Sequence, residues 1–115
     1  MPHVGFAIPL LPGRTGLDRE ALASCWRGPR RAAYEDARRR AGITREAVWI
    51  QSVQTHDLAV VHLEADDLDA AYGVLRGSAA PFDRWFRDHV LEVHGISLAD
   101  GVPVPELVLD YDSQA

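Results

Sequence analysis

Residues 48–65, VWIQSVQTHDLAVVHLEA, decide the architecture. Residues 48–55 are rich in β-branched and aromatic side chains. Residues 58–65 alternate Leu58 and Val60 with Ala59, Val61 and Leu63, and His56-Asp57 supplies a short turn between the two runs. That pattern is a β-hairpin. Its second strand is apolar on both sides, so both of its faces need cover.

Helical patterns flank the hairpin. Before it, residues 17–41 place Leu22, Trp26, Tyr34 and Ala37 roughly on one stripe. Gly28-Pro29 interrupts this stretch, because proline removes a backbone donor and clashes with the preceding turn; a kink or break is expected there. Gly42 suits the C-cap. Further upstream, Val4, Phe6, Ile8 and Leu10 alternate with His3, Gly5, Ala7 and Pro9, the period of a first strand. Gly5 and Ala7 leave one face nearly bare, which lets another backbone or a ligand come close beside the pocket. Residues 12–16 form a turn, and Thr15 with Asp18 resembles a capping box.

After the hairpin, Asp66 or Asp67 caps a helix carrying Leu68, Ala71, Tyr72 and Leu75. Residues 77–81 break it, and Pro81 is placed to begin a second segment. Phe82, Trp85, Phe86, His89, Val90 and Val93 line one face of that segment until Gly95, a loop covers residues 99–105, and residues 107–111 read as the last strand. The order βαββαβ predicts a single ferredoxin-like α+β domain over residues 1–115, with a four-stranded antiparallel sheet and two helices on one face. A second copy of the chain is the expected cover for the helix-free face, which makes a homodimer.

Composition narrows the function. The net charge of −5 argues against a general nucleic-acid binder. All 12 basic residues are arginines, and the absence of lysine removes Schiff-base chemistry, pyridoxal-phosphate attachment and the P-loop lysine together. No apolar run approaches the roughly 20 residues of a membrane helix, so no membrane partner is expected. The N-terminus has no basic n-region, and Pro9 and Pro12 break its apolar stretch, so no signal peptide is expected. The lone Cys25 cannot form an internal disulfide, which fits a cytoplasmic protein.

The candidate catalytic residues are histidines. His89 shares an apolar helix face with Trp85, Phe86 and Val93, where it can act as a general base or sit as a hydrogen-bonded core residue. His62 lies two residues from Glu64 on one strand face, an arrangement that moves a proton if both aim at a pocket and is idle if both reach solvent. Trp26, Tyr34, Trp49 and Trp85 are core or pocket wall. Arg30, beside the Pro29 break, can clamp an anionic group, while Arg27, Arg31, Arg38, Arg39 and Arg40 read as a solvated basic face. Cys25 has no nearby base, and His89 and His94 diverge around their helix, so neither nucleophilic catalysis nor a metal site is expected.

With those residues in hand, the whole chain resembles the dimeric α+β-barrel superfamily, whose members include antibiotic-biosynthesis monooxygenases, stress-responsive barrel proteins, mutarotases, muconolactone isomerases and haem-degrading proteins. Residues 78–87, SAAPFDRWFR, look like the second-helix signature of small uncharacterised bacterial barrel proteins in that superfamily. The resemblance implies a homodimer that binds an apolar or aromatic metabolite between helices and sheet. It further implies cofactor-independent isomerase, cyclase or monooxygenase chemistry, with His62 or His89 as the acid/base and Trp26, Tyr34 and Trp85 as walls. The alternative is a non-catalytic ligand-binding or stress-response module. Phe82, Trp85 and His94 are also similar to the Phe-x-x-Trp…His pattern of haem-degrading monooxygenases. Here the Trp-to-His spacing is one residue short, which swings a helical side chain by about 100°, and the chain lacks the asparagine those enzymes carry. No cofactor is therefore expected.

Overall fold

A computed structural model describes residues 2–101 and 103–114. The chain runs β1 (His3–Pro9), α1 (Thr15–Arg27), α2 (Arg31–Arg40), β2 (Ile43–Ser52), β3 (Asp57–Ala65), α3 (Leu68–Gly77) and α4 (Pro81–His94), followed by a 3-10 turn at Leu98–Asp100. β3 lies in the centre of an antiparallel sheet ordered β1-β3-β2. Its register pairs Gly5 with His62 on one side and Ala47 with His62 on the other. The hairpin expected from residues 48–65 is present, with β2 beginning five residues earlier, at Ile43.

Strand alternation sorts the sheet into two faces. Val4, Ile43, Leu63 and Ala65 are buried and pack with Ala41 and Ala71 into one core cluster, extended by Phe6, Val61, Tyr72 and Leu75. A second cluster joins Cys25, Ala37 and Phe82, with Tyr34, Trp85 and Phe86 against it. The opposite sheet face carries Gly5, Ala7, Val60, His62 and Trp49, and Trp49 is 57% exposed. Gly5 and Ala7 are therefore bare toward the helix-free side rather than beside an interior pocket.

Both expected helix interruptions are complete breaks, which gives four helices among the described residues instead of two. At the first, the Arg30 and Arg31 amides bond back to the carbonyls of Ser24 and Gly28, at 3.0 and 3.1 Å, and turn the chain. At the second, Arg87 of α4 donates to the Leu75 carbonyl (3.1 Å) and the Ser78 carbonyl (2.5 Å). These bonds satisfy acceptors that a helix end leaves free. Pro81 opens α4 and Gly95, at φ 72°, closes it in the left-handed conformation. Asp67 caps α3 by accepting from the Ala70 amide at 3.2 Å.

The ferredoxin-like prediction of a four-stranded sheet with two helices is overturned: the sheet has three strands among the described residues, and residues 107–111 join no ladder. Pro103 and Pro105, just before the segment, cannot donate to a ladder along its approach, and within it Val108, Leu109 and Tyr111 remain 82–83% exposed, so the apolar run buries nothing. Asp110 meets β1 by accepting from His3 Nε2 at 3.4 Å. The dimeric-barrel form of the prediction falls with the four-stranded sheet on which it rests. The capping box at Thr15 is also absent. Arg14 holds the N-cap position, and Thr15 instead donates to the Asp57 carboxylate at 2.6 Å.

Two glycines test this account of the helices. A Cβ on Gly28 would lie 2.7 Å from Ser24 Cα and 3.0 Å from its carbonyl oxygen, whereas one on Gly73 would meet nothing within 4 Å. Gly28→Ala should cost about 1–3 kcal/mol by overpacking, and Gly73→Ala should stabilise α3 by about 0.5–1 kcal/mol. Urea denaturation measures both, and equal effects at the two sites would contradict the break geometry.

Candidate functional site

The two core clusters do not meet completely. Between them lies a cavity of about 180 Å3, with Phe6, Ile8, Val48, Ala59, Val61 and Leu63 of the sheet as its floor. Ala59 is the smallest of these and sits on the centre strand, so the floor is lowest there. Leu22, Leu75, Phe86 and Val90 form the apolar roof. An engineered cavity of roughly 150 Å3 with such walls admits benzene, which sets the scale at one ring.

A few polar groups enter these walls. On α1, Asp18, Leu22 and Cys25 recur at helical spacing and face inward, which leaves Asp18 3% exposed. Asp18 Oδ1 lies 2.7 Å from His89 Nε2 of α4. A carboxylate oxygen accepts, so Nε2 carries a proton and faces Asp18. The aspartate thus fixes the ring plane, as the carboxylate of a hydrolytic triad does for its histidine. Trp85 stacks on that ring at 5.5 Å with 9° between planes, and the Arg30 guanidinium sits 4.2 Å over Trp85. His89 also borders an outer groove between α1 and α4, which it shares with the predicted Arg30 and Trp85 and with Glu20, Asp88 and Glu92.

The opposite wall holds a second polar cluster. Glu46 Oε1 of β2 accepts from Tyr34 (2.5 Å) and from Arg38 Nε (2.7 Å). Arg38 is buried, and its guanidinium lies over the rings of Tyr34, Phe86 and Phe82 at 5.0, 4.6 and 5.8 Å. Burial first, and the Glu46 charge next, push the Tyr34 hydroxyl well above the usual tyrosine range. Burial likewise raises the Cys25 thiol and the Tyr72 hydroxyl, so both remain protonated at neutral pH.

The residues expected from sequence are distributed unevenly over this geometry. His89 borders the cavity, with Trp85 and Arg30 stacked behind it. Tyr34 supports the far wall through Glu46. Trp26 does not belong to it: the ring is 67% exposed, with the Arg27 guanidinium 4.1 Å above it. His62 is also elsewhere, on the helix-free sheet face, with Nε2 3.8 Å from Glu64 and its ring 5.8 Å from that of His3. Asp18, Arg38, Glu46 and Tyr72 carry most of the site's polarity and were not anticipated. A charged residue in phase with an apolar stripe was the available signal: Asp18 with Leu22 and Cys25, Arg38 with Tyr34.

A haem group does not fit. His94 donates through Nδ1 to the Pro9 carbonyl at 2.8 Å, and the cavity has the volume of a single ring. Among the described residues, no three His, Cys, Asp or Glu side chains are grouped to hold a metal ion. No helix among them is long and apolar enough to cross a membrane. Comparison with protein-family models, with curated proteins and with solved structures finds no match.

Two stability measurements check this wall. Glu46→Ala leaves the buried Arg38 unpaired and should cost about 3–5 kcal/mol; a loss below 1 kcal/mol, roughly what a surface ion pair contributes, would mean that the pair is solvated. Tyr34 has a folded pKa raised above its unfolded value near 10, so its contribution is full below about pH 10 and is lost as pH rises toward the folded value. Alkaline titration should therefore show a tyrosinate component that appears only with unfolding and is missing in Tyr34→Phe. Ionisation of Tyr34 in the folded protein near pH 10 would contradict its burial.

Proposed function

We propose that the interior cavity is the binding and reaction site for a small, mainly apolar metabolite of about one ring, with His89 as the acid/base and Asp18 as the residue that positions it. The observation that carries this reading is the buried His89–Asp18 hydrogen bond of 2.7 Å at the edge of a cavity of about 180 Å3. A mainly apolar lining strengthens a fixed dyad's interaction with its substrate. The chemistry that suits it is proton transfer without a cofactor, as in isomerisation, cyclisation or oxygenation of an activated ring. The unpaired Cys25 supports a cytoplasmic setting.

A binding module is the second reading, and it is favoured by the mainly apolar lining, which is all that holding a ring requires. Hydrogen–deuterium exchange separates the two. One-ring ketones such as acetophenone, incubated in D2O with the protein, should lose α-C–H signal faster than in buffer alone. His89→Gln should abolish the excess while ketone binding persists. Binding without exchange would leave a carrier or sensor, and absence of binding would remove the site.

The reading also includes a homodimer through the helix-free sheet face. Its support is the apolar strip of Leu58, Val60, Ala47 and the exposed Trp49. Light scattering should give twice the chain mass of 12.7 kDa at micromolar concentration. A stable monomer would refute it.

A further inference from the structure

The cavity's unpaired polar atoms specify the polar end of its occupant. Asp18 Oδ2, Arg38 Nη1 and the Tyr72 hydroxyl are buried, belong to residues lining the cavity, and have no hydrogen-bond partner among the described residues. They come from three separate helices, α1, α2 and α3. Buried polar atoms left unpaired cost stability, and of the four among the described residues three belong to residues lining this cavity, Asp83 Oδ1 alone lying elsewhere. In two of them the rest of the side chain is already anchored: Asp18 Oδ1 holds His89, and Arg38 Nε holds Glu46. The second oxygen and the second nitrogen are thereby fixed in place and left over.

We propose that the occupant is an uncharged molecule of about one ring bearing a hydroxyl, phenol or enol group, recognised jointly by Asp18, Arg38 and Tyr72. The inference rests on the cavity being a ligand site and adds the class of ligand. Asp18 Oδ2 accepts only, Arg38 Nη1 donates only, and a tyrosine hydroxyl does both. A hydroxylated ligand offers the proton that Asp18 needs and the lone pairs that Arg38 and Tyr72 need. A carboxylate ligand has no proton for Asp18 and faces two like charges, buried Asp18 and part-buried Glu46, while Arg38 is already paired with Glu46. An ammonium ligand has no lone pair for Arg38. Arg76 also borders the cavity, but as an exposed side chain near Gly101 its charge is screened by solvent.

Calorimetric titration of the full chain with toluene, phenol and benzoate tests the class, because the three are similar in size and differ in polar group. Phenol should bind at least as tightly as toluene, although water solvates phenol better, and benzoate should bind most weakly. Tyr72→Phe should weaken phenol by roughly three- to tenfold, the value of one hydrogen bond, and leave toluene unchanged. Its folding should be unharmed, since the deleted hydroxyl has no partner. Toluene binding without phenol binding would overturn the polar recognition and leave the cavity reading standing. Benzoate binding most tightly would overturn the neutral class, and unchanged phenol affinity in Tyr72→Phe would overturn the joint recognition. No binding of any probe would overturn both the inference and the site on which it rests.

Discussion

Arg38 is the side chain on which the structure turns. Its Nε holds Glu46 on β2, and its guanidinium plane covers Tyr34 on α2 and both Phe82 and Phe86 on α4. Those contacts join the helix pair before the hairpin, the sheet and the last helix. A lone buried cation would be too costly to keep, so Glu46 is required wherever Arg38 is. The pair also explains why the core is divided. A charged cluster at one wall stops the aromatic group around Phe82 from merging with the aliphatic group around Leu63, and a one-ring space remains between them.

The far side of that space is built on the same logic with different residues. Asp18 replaces an apolar residue on the inner stripe of α1, and it is tolerable there because His89 gives it a hydrogen bond. Two buried polar pairs, one from α1 to α4 and one from α2 to β2, thus face one apolar cavity. For a chain of 115 residues with a limited core, this is a large commitment of interior volume to polar groups. A concave apolar space with a few polar groups at its wall is the usual form of a small-molecule site.

Much of this was legible in the sequence. The hairpin follows from the β-branched runs around His56-Asp57, the helix breaks follow from Gly28-Pro29 and Pro81, and the inward face of α4 follows from the spacing of Phe82, Phe86, His89 and Val93. The failures have physical causes. Residues 107–111 have strand-like composition, but pairing depends on a partner edge and on a surface to bury against, which composition does not reveal. Arg38 belongs to a run of three arginines, and only the packing of Tyr34, Phe82 and Phe86 around it tells a buried guanidinium from solvated ones. Trp26 fell on the predicted stripe as the fourth residue after Leu22, but the inward face of α1 runs through Asp18, Leu22 and Cys25, and Trp26, one residue and about 100° past Cys25, is exposed. His62 and His89 looked equivalent as isolated histidines, and strand parity places one outside while helical phase places the other inside.

The central claim is that the space beside His89 accepts a ring-sized molecule. Methyl-resolved NMR of the intact protein during titration with benzene tests it most directly. The account predicts saturable shifts at Val48, Val61, Leu63 and Val90, which line the cavity, with the His89 ring protons moving in step. Saturable shifts confined to Val60 and the surroundings of Trp49 on the helix-free face, or no saturable shift at all, would contradict it.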